Sequence, residues 1–341
     1  MAPQEYEAIP SRRIVVERFG GVEELREVET TVAAPPPGHT RVKVLAAGVG
    51  FTDLMARAGE YLLQRKVPFS PGYELVGEVV DTHGEGLAPG TLVAAALPRM
   101  GAYTEYAVLP DWLLVPLPDG LDPHLAAAVP LDYLTALSVL ETHARVARGG
   151  TVLIQGAGGG VGQALSQLGR RSGLRMYGTA SAPGSAERLA RYGVEHIDYR
   201  RQDFETVIRE RESHGIQAVF DHIGGANLAK SHRILAPGGV LVSYAFVGRP
   251  GHMIGDTIRG AARVKLMNMR PGRRTALCML PKELNANRDW YRTGLARLLA
   301  LAHTGGIEPT IAAHHPLAKA ADVHAALERR EITGKIVLTA S

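Results

Sequence analysis

Cysteine is almost missing from this chain: Cys278 is the only one among 341 residues. A lone thiol excludes an intrachain disulfide and any zinc site built from several cysteines. It also suits a reducing compartment, so the expected location is the cytoplasm. Long apolar runs are missing too. None approaches the roughly 20 residues of a membrane span, and the N-terminal MAPQEYEAIPSRR lacks the apolar stretch of a secretory leader. No membrane association is expected. Runs of one charge sign are absent as well. Lys and Arg number 38 against 34 Asp and Glu, a formal charge of +4, but they are scattered among acids. That pattern makes solvated surface plus an anion site, and no nucleic-acid partner is expected.

What is present is an ordinary globular composition, 45% hydrophobic and 21% charged, over a length that predicts two domains. The first third reads as β-rich. RIVVERFG, TRVKVLAAGVG, YELVGEVVDTH, TLVAAAL and AYTEYAVLP are short apolar or alternating runs punctuated by Gly and Pro. From Asp122 the rhythm becomes helical, with Asp122 as N-cap, Pro123 at the first helical position and Pro130 dividing two helices. Strands then alternate with helices: TVLIQG, LRMYGTA, QAVFDHIG and GGVLVSYA are separated by helical segments. Such alternation predicts a parallel sheet with helices packed on it. A helix WYRTGLARLLALAHTGG and a strand GKIVLTA close the chain.

The densest signal is TVLIQGAGGGVGQALSQLG, with Gly156, Gly159 and Gly162 in a G-x-x-G-x-x-G spacing and Gly160 and Val161 between. Glycines at a strand-to-helix junction permit a tight turn and let main-chain N–H groups approach a diphosphate at the helix N-terminus. The commoner G-x-G-x-x-G fingerprint is not matched, since Val161 falls on its last position. A Walker A loop is excluded, because no Gly-Lys-Ser/Thr follows. The next strand ends YGTAS, placing Thr179 and Ser181 where an NAD-preferring protein has an acid. Hydroxyls there, followed by Ser185 and Arg188, suit a 2′-phosphate, and the expected cofactor is NADPH.

These motifs together, with PFSPGYELVGEVV, PLDYLTAL and LAPGGVLVSYA, resemble the zinc-independent quinone oxidoreductase (zeta-crystallin-like) branch of the medium-chain dehydrogenase/reductase superfamily almost end to end. The resemblance implies an α/β fold in which a Rossmann doubly wound parallel sheet is inserted in a β-rich GroES-like catalytic domain. The implied boundaries are 1–128 and 270–341 for the catalytic domain and 129–269 for the Rossmann NADPH-binding domain. Zinc relatives carry Cys and His where this chain has Gly50 and Tyr73, so no metal is expected. Quinone oxidoreductases of this type carry Asn at the Gly50 position and Tyr near Met55, and both are missing here.

By the same resemblance, Thr135 faces the cofactor phosphate and nicotinamide region, Tyr199 packs by the adenosine, and Ser243 to Phe246 lie beside the nicotinamide ribose. A family lysine near Ser185 is absent, and Arg188 would substitute. Tyr61 matches a family tyrosine and is the first candidate to donate a hydrogen bond to the substrate oxygen, with Tyr73 second. Asp53 either orders its loop or takes part in the chemistry. The implied activity is NADPH-dependent hydride transfer to a quinone or α,β-unsaturated carbonyl, by a homodimer paired through an edge strand near VKLMNM, residues 264–269. One alternative is an enoyl reductase acting on a carrier- or CoA-linked enone. The other is a non-catalytic nucleotide-binding protein, since relatives include lens crystallins and a synaptic vesicle membrane protein group whose cadence the C-terminal segment shares.

Overall fold

The computed structural model describes residues 7–83, 86–269, 271–329 and 334–340. They separate into two compact units, 132–280 and 1–131 with 281–341. In the first, six parallel strands stand in the spatial order Val194–Asp198, Arg175–Ala180, Thr151–Ile154, Ile216–Asp221, Leu235–Ser243, Arg274–Leu277. Numbered along the chain this is 3-2-1-4-5-6, the Rossmann order, in which the winding reverses between the first and fourth strands. Central strands of such a sheet are covered on both faces and so read as unbroken apolar runs. All four residues of Thr151–Ile154 are buried accordingly. Leu153, Val219 and Leu241 meet Tyr177, Ile197, Phe204, Leu228 and Val264 in one core, each such side chain contributing roughly 1.5–3 kcal/mol by leaving water.

Two expectations need correction. Residues 264–269 are not an edge strand. They belong mostly to the end of helix Met253–Met267, because Met253, Gly260, Val264 and Met267 recur at helical spacing on its buried side. The edge is Arg274–Leu277, paired on one side only, to Leu235–Ser243. Residues 271–280, expected in the catalytic domain, fall in the compact unit that holds the parallel sheet, and residues 129–131 fall in the other.

In the second unit a seven-stranded mixed sheet runs Ile311–Pro316, Lys335–Thr339, His39–Val49, Glu74–Thr82, Leu92–Ala96, Val115–Pro116, with Tyr106–Pro110 also paired to His39–Val49. The C-terminal strand Lys335–Thr339 lies antiparallel to His39–Val49, so both chain ends build one sheet. A separate hairpin joins Ile9–Val16 to Leu25–Val32. The Asp122 carboxylate caps helix Pro123–Ala126 by accepting the His124 N–H at 2.9 Å, and Pro130 opens the next helix, Pro130–Leu137. That helix runs on as a π-helix over Ser138–Ala144, closed by Arg145 in the left-handed region at φ 53°. Among the described residues no helix is long and apolar enough to cross a membrane.

Candidate active site

The glycine turn follows Thr151–Ile154 and runs into helix Gly160–Arg171. Gly156 has φ +63°, a conformation that costs a residue with a Cβ. Gly162 is bare for another reason: a Cβ there would overlap the Gly156 carbonyl. Helix and turn therefore touch main chain to main chain. A Cβ on Gly160 would overlap the Asp132 carboxylate, and Gly159 is the helix N-cap in extended conformation. Val161 is the second residue of the helix. The first-turn N–H groups of Gly160, Val161 and Gly162 have no partner within the helix by its geometry, the condition for binding an anion.

Thr179 is not where a 2′-phosphate would need it. Its side chain is buried, its Oγ accepts the Gly156 N–H at 2.9 Å and donates to Gln155 Oε1 at 2.8 Å. It pins the turn to the neighbouring strand. Ser181, just past strand Arg175–Ala180, bonds the hydroxyl of exposed Tyr199 at 2.7 Å. Arg188 donates to Ser185 Oγ at 3.2 Å, and a Cβ on Gly158 would face Ser185 Oγ at 3.8 Å. Three hydroxyls and a guanidinium thus gather at the end of a strand that carries no carboxylate there.

At the other end of the sheet's carboxyl edge, Ser243 closes its strand with its Oγ buried and without a hydrogen-bond partner. The Phe246 ring packs against Gly224 and Gly260 and joins the core, so its contribution to a ligand falls to its main chain. Thr135 is buried in helix Pro130–Leu137.

In the other unit, Asp53 is the third residue of helix Phe51–Arg57 and 1% exposed. Its carboxylate accepts the Gly50 N–H at 2.8 Å, the Gly72 N–H at 3.0 Å and the Tyr103 hydroxyl at 3.3 Å. Desolvation pushes its pKa up to about 6, against these bonds and the Lys335 charge. Tyr103 is in turn 3.4 Å from His324 Nε2, and Arg57 is 3.5 Å from His324 Nδ1 and paired with Glu328. An arginine only donates, so Nδ1 accepts and Nε2–H donates to Tyr103, which passes its own proton to Asp53. Burial drops the His324 pKa to about 3. Close by, Lys335 and Glu74 form a buried ion pair at 2.7 Å. Tyr61 and Tyr73 meet edge to face at 6.1 Å. Burial raises the pKa of both phenols, and the two hydroxyls interact with one another.

Two families match the chain: the alcohol dehydrogenase GroES-like domain over residues 36–119 and the zinc-binding dehydrogenase family over residues 192–338. The human synaptic vesicle membrane protein VAT-1 homolog is 31% identical over 96% of this chain and 86% of its own length. A Burkholderia 2-haloacrylate reductase is 32% identical over 95% and 97%, and a Lama guanicoe quinone oxidoreductase 28% over 96% and 97%. The chain belongs to the quinone oxidoreductase branch of the medium-chain dehydrogenase/reductase superfamily. A mycobacterial member solved in complex with NADPH superposes with a TM-score of 0.83 at 28% identity, covering 97% of this chain and all of that one.

For a member of this superfamily, Arg57, Tyr103 and His324 are the side chains that sequence reasoning missed around Asp53. They stand 4, 50 and 271 positions from it, and no local spacing links them. His222 was missed as well, while Tyr244 falls within the segment from Ser243 to Phe246 that the resemblance singled out, just past the end of strand Leu235–Ser243.

Proposed function

We propose that the protein is an NADPH-dependent reductase that transfers hydride to a quinone or another α,β-unsaturated carbonyl without zinc. The observation that carries this reading is the pairing of Ser181 with Tyr199 and of Ser185 with Arg188 beside the glycine turn, where an NAD-binding carboxylate would stand. These groups supply donors and a positive charge for a 2′-phosphate. The N–H groups of Gly160, Val161 and Gly162 would hold the diphosphate, and when bound the dinucleotide supplies the hydride.

What the chain adds is a proton held ready. Negative charge develops on the acceptor oxygen as hydride arrives at the conjugated carbon. Tyr61, its pKa raised by burial, stays protonated and donates to that oxygen. Asp53 holds the main chain of this region and does not act on the substrate, because its three acceptor contacts already use the carboxylate.

Zinc does not fit at the position where its relatives would hold it. Gly50 offers no side chain, Tyr73 is a phenol that burial keeps protonated, and Asp53 is saturated by two N–H groups and Tyr103. The name of the Burkholderia relative, a reductase of an electron-poor alkene, supports the conjugated-acceptor class. The reading includes a cytoplasmic homodimer, supported by the lone buried thiol of Cys278 and by the one-sided pairing of strand Arg274–Leu277.

Steady-state oxidation of NADPH and NADH against a panel of quinones, enones and 2-haloacrylates tests this. NADPH is expected to be the better substrate, and Arg188→Ala to lower kcat/KM for NADPH about tenfold or more, the scale of one charged hydrogen bond, with NADH changed less than threefold. Oxidation of NADH in preference to NADPH would refute the cofactor assignment. Binding of NADPH with no turnover on any acceptor would replace the enzyme by a non-catalytic nucleotide-binding protein.

A further inference from the structure

The turn after strand Ile216–Asp221 lies across the switch point from Gly156, and the two meet through one side chain. A Cβ on Gly156 would overlap Cε1 of His222, so the imidazole fills the space that glycine leaves open. Asp221 sets this placement. Its carboxylate accepts the N–H groups of Ile223 and Gly224 at 2.8 Å each and the Ser231 hydroxyl at 3.1 Å, which folds the turn tightly around it. Main-chain bonds from Tyr244 N–H to the Asp221 carbonyl at 3.1 Å and from Val247 N–H to the His222 carbonyl at 2.8 Å then tie this turn to the end of the next strand.

His222 Nδ1 stands 3.0 Å from the Tyr244 hydroxyl, the rings tilted 33° with centroids 5.4 Å apart. Burial holds the imidazole pKa down at about 4, so the ring is neutral and carries a single proton. With that proton on Nε2, Nδ1 presents a lone pair and takes the Tyr244 proton. What the hydroxyl offers its surroundings is therefore an oxygen that accepts, at the carboxyl end of a strand where ligands of this fold bind. Burial raises the Tyr244 pKa, and the nearby Asp221 and Asp132 raise it further, which keeps the phenol protonated.

We propose that His222 keeps its proton on Nε2, so that the Tyr244 hydroxyl donates to Nδ1 and accepts a hydrogen bond from the nicotinamide half of the cofactor, from either its carboxamide NH2 or a ribose hydroxyl. Tyr244 is then a binding residue and His222 a positioning residue acting through it. The inference rests on the NADPH reading above and extends it to the end of the cofactor that reacts. It also gives a chemical reason for a histidine at the switch point: without an acceptor at Nδ1 the tyrosine would be free to turn its proton outward and meet the donor with a donor.

Calorimetric titration with NADPH and with adenosine 2′,5′-bisphosphate separates the two readings. Tyr244→Phe is expected to weaken NADPH about five- to tenfold, the worth of one net hydrogen bond, and to leave the bisphosphate within twofold of the wild type. His222→Leu, a second variant that keeps the hydroxyl but frees its proton, is expected to weaken NADPH at least threefold with the bisphosphate again unchanged. The reduced 3-acetylpyridine analogue of NADPH, whose ketone has no N–H, distinguishes the donors. Equal affinity for wild type and Y244F assigns the carboxamide, and a persisting loss assigns the ribose. If both variants bind NADPH within twofold of the wild type, the proposal is overturned while the NADPH reading stands. A wild-type protein that binds neither NADPH nor the bisphosphate overturns both.

Discussion

Asp53 in the unit built from both chain ends and Asp221 in the nucleotide-binding unit hold their surroundings in the same way. Each is buried, 1% and 0% exposed, and each accepts two main-chain N–H groups and one hydroxyl. Desolvation raises the pKa of both. They differ in reach. Asp221 gathers residues 223, 224 and 231, all within one turn and the helix after it. Asp53 gathers Gly50, Gly72 and Tyr103, and through Tyr103 the C-terminal His324. One carboxylate folds a turn locally, and the other fastens three separate segments of a β-rich unit whose strands come from both ends of the chain.

Removing each carboxylate gives the largest effect and the plainest test of that difference. Asp221→Ala and Asp53→Ala each strand two buried N–H groups, at a cost of about 2–4 kcal/mol, to be read from urea unfolding. Hydrogen exchange locates the damage. In D221A faster exchange is expected over residues 223–231 only, while in D53A it should appear at Gly72 and around Tyr103 as well as at Gly50. Unchanged exchange at Gly72 in D53A would show that the two aspartates reach equally short distances.

Acidity comes next. The folded pKa of Asp53 is about 6, above the ordinary carboxylate value, so the native state takes up this proton first and the group favours folding as pH falls from 7 towards 4. His324, at about 3, and His222, at about 4, behave oppositely. The unfolded imidazoles take up protons from about pH 6.5 downward while the buried ones do not, so their contribution is lost over that range. Between pH 7.5 and 5, His324→Gln should lose less stability than the wild type, by about 1–2 kcal/mol, and Asp53→Asn should lose more. Equal slopes in all three proteins would remove these groups from the pH dependence.

The smallest effect belongs to the hydroxyl partners. Ser231→Ala and Tyr103→Phe each take one donor from a carboxylate that keeps its N–H contacts, costing about 1 kcal/mol in urea unfolding. Y103F is expected to be the worse of the two, because it also cuts the chain from Arg57 through His324. A larger loss in S231A would mean that the local carboxylate depends more on its hydroxyl than the long-range one does.

This contrast also explains what could be read from the sequence. Motifs closed within a few residues were legible: the bare turn from Gly156 to Gly162, the Asp122–Pro123 start, the break at Pro130, and the strand–helix alternation that pointed to a parallel sheet. Residues 264–269 misled because a short apolar run fits a strand as well as a helix, and only the wider period through Met253, Gly260 and Val264 decides. Thr179 sat on the right strand end, but its inward side was hidden by the parity of a single residue. Tyr61 and Tyr73 were legible only through family likeness. The partners of Asp53 had no signature at all, since a buried polar chain spread over segments up to 271 positions apart leaves no spacing to find.

The π-helix at Ser138–Ala144 has a consequence of a different kind. Its last bond, from Arg145 N–H to the Leu140 carbonyl at 2.8 Å, spans five residues where an α-helix spans four. Elsewhere in a helix, dropping one residue swings everything beyond it by about 100°. Here the loss would merely tighten a loose turn, so this segment is where a homologue one residue shorter can keep both ends in place, and where a gap in an alignment of the family belongs.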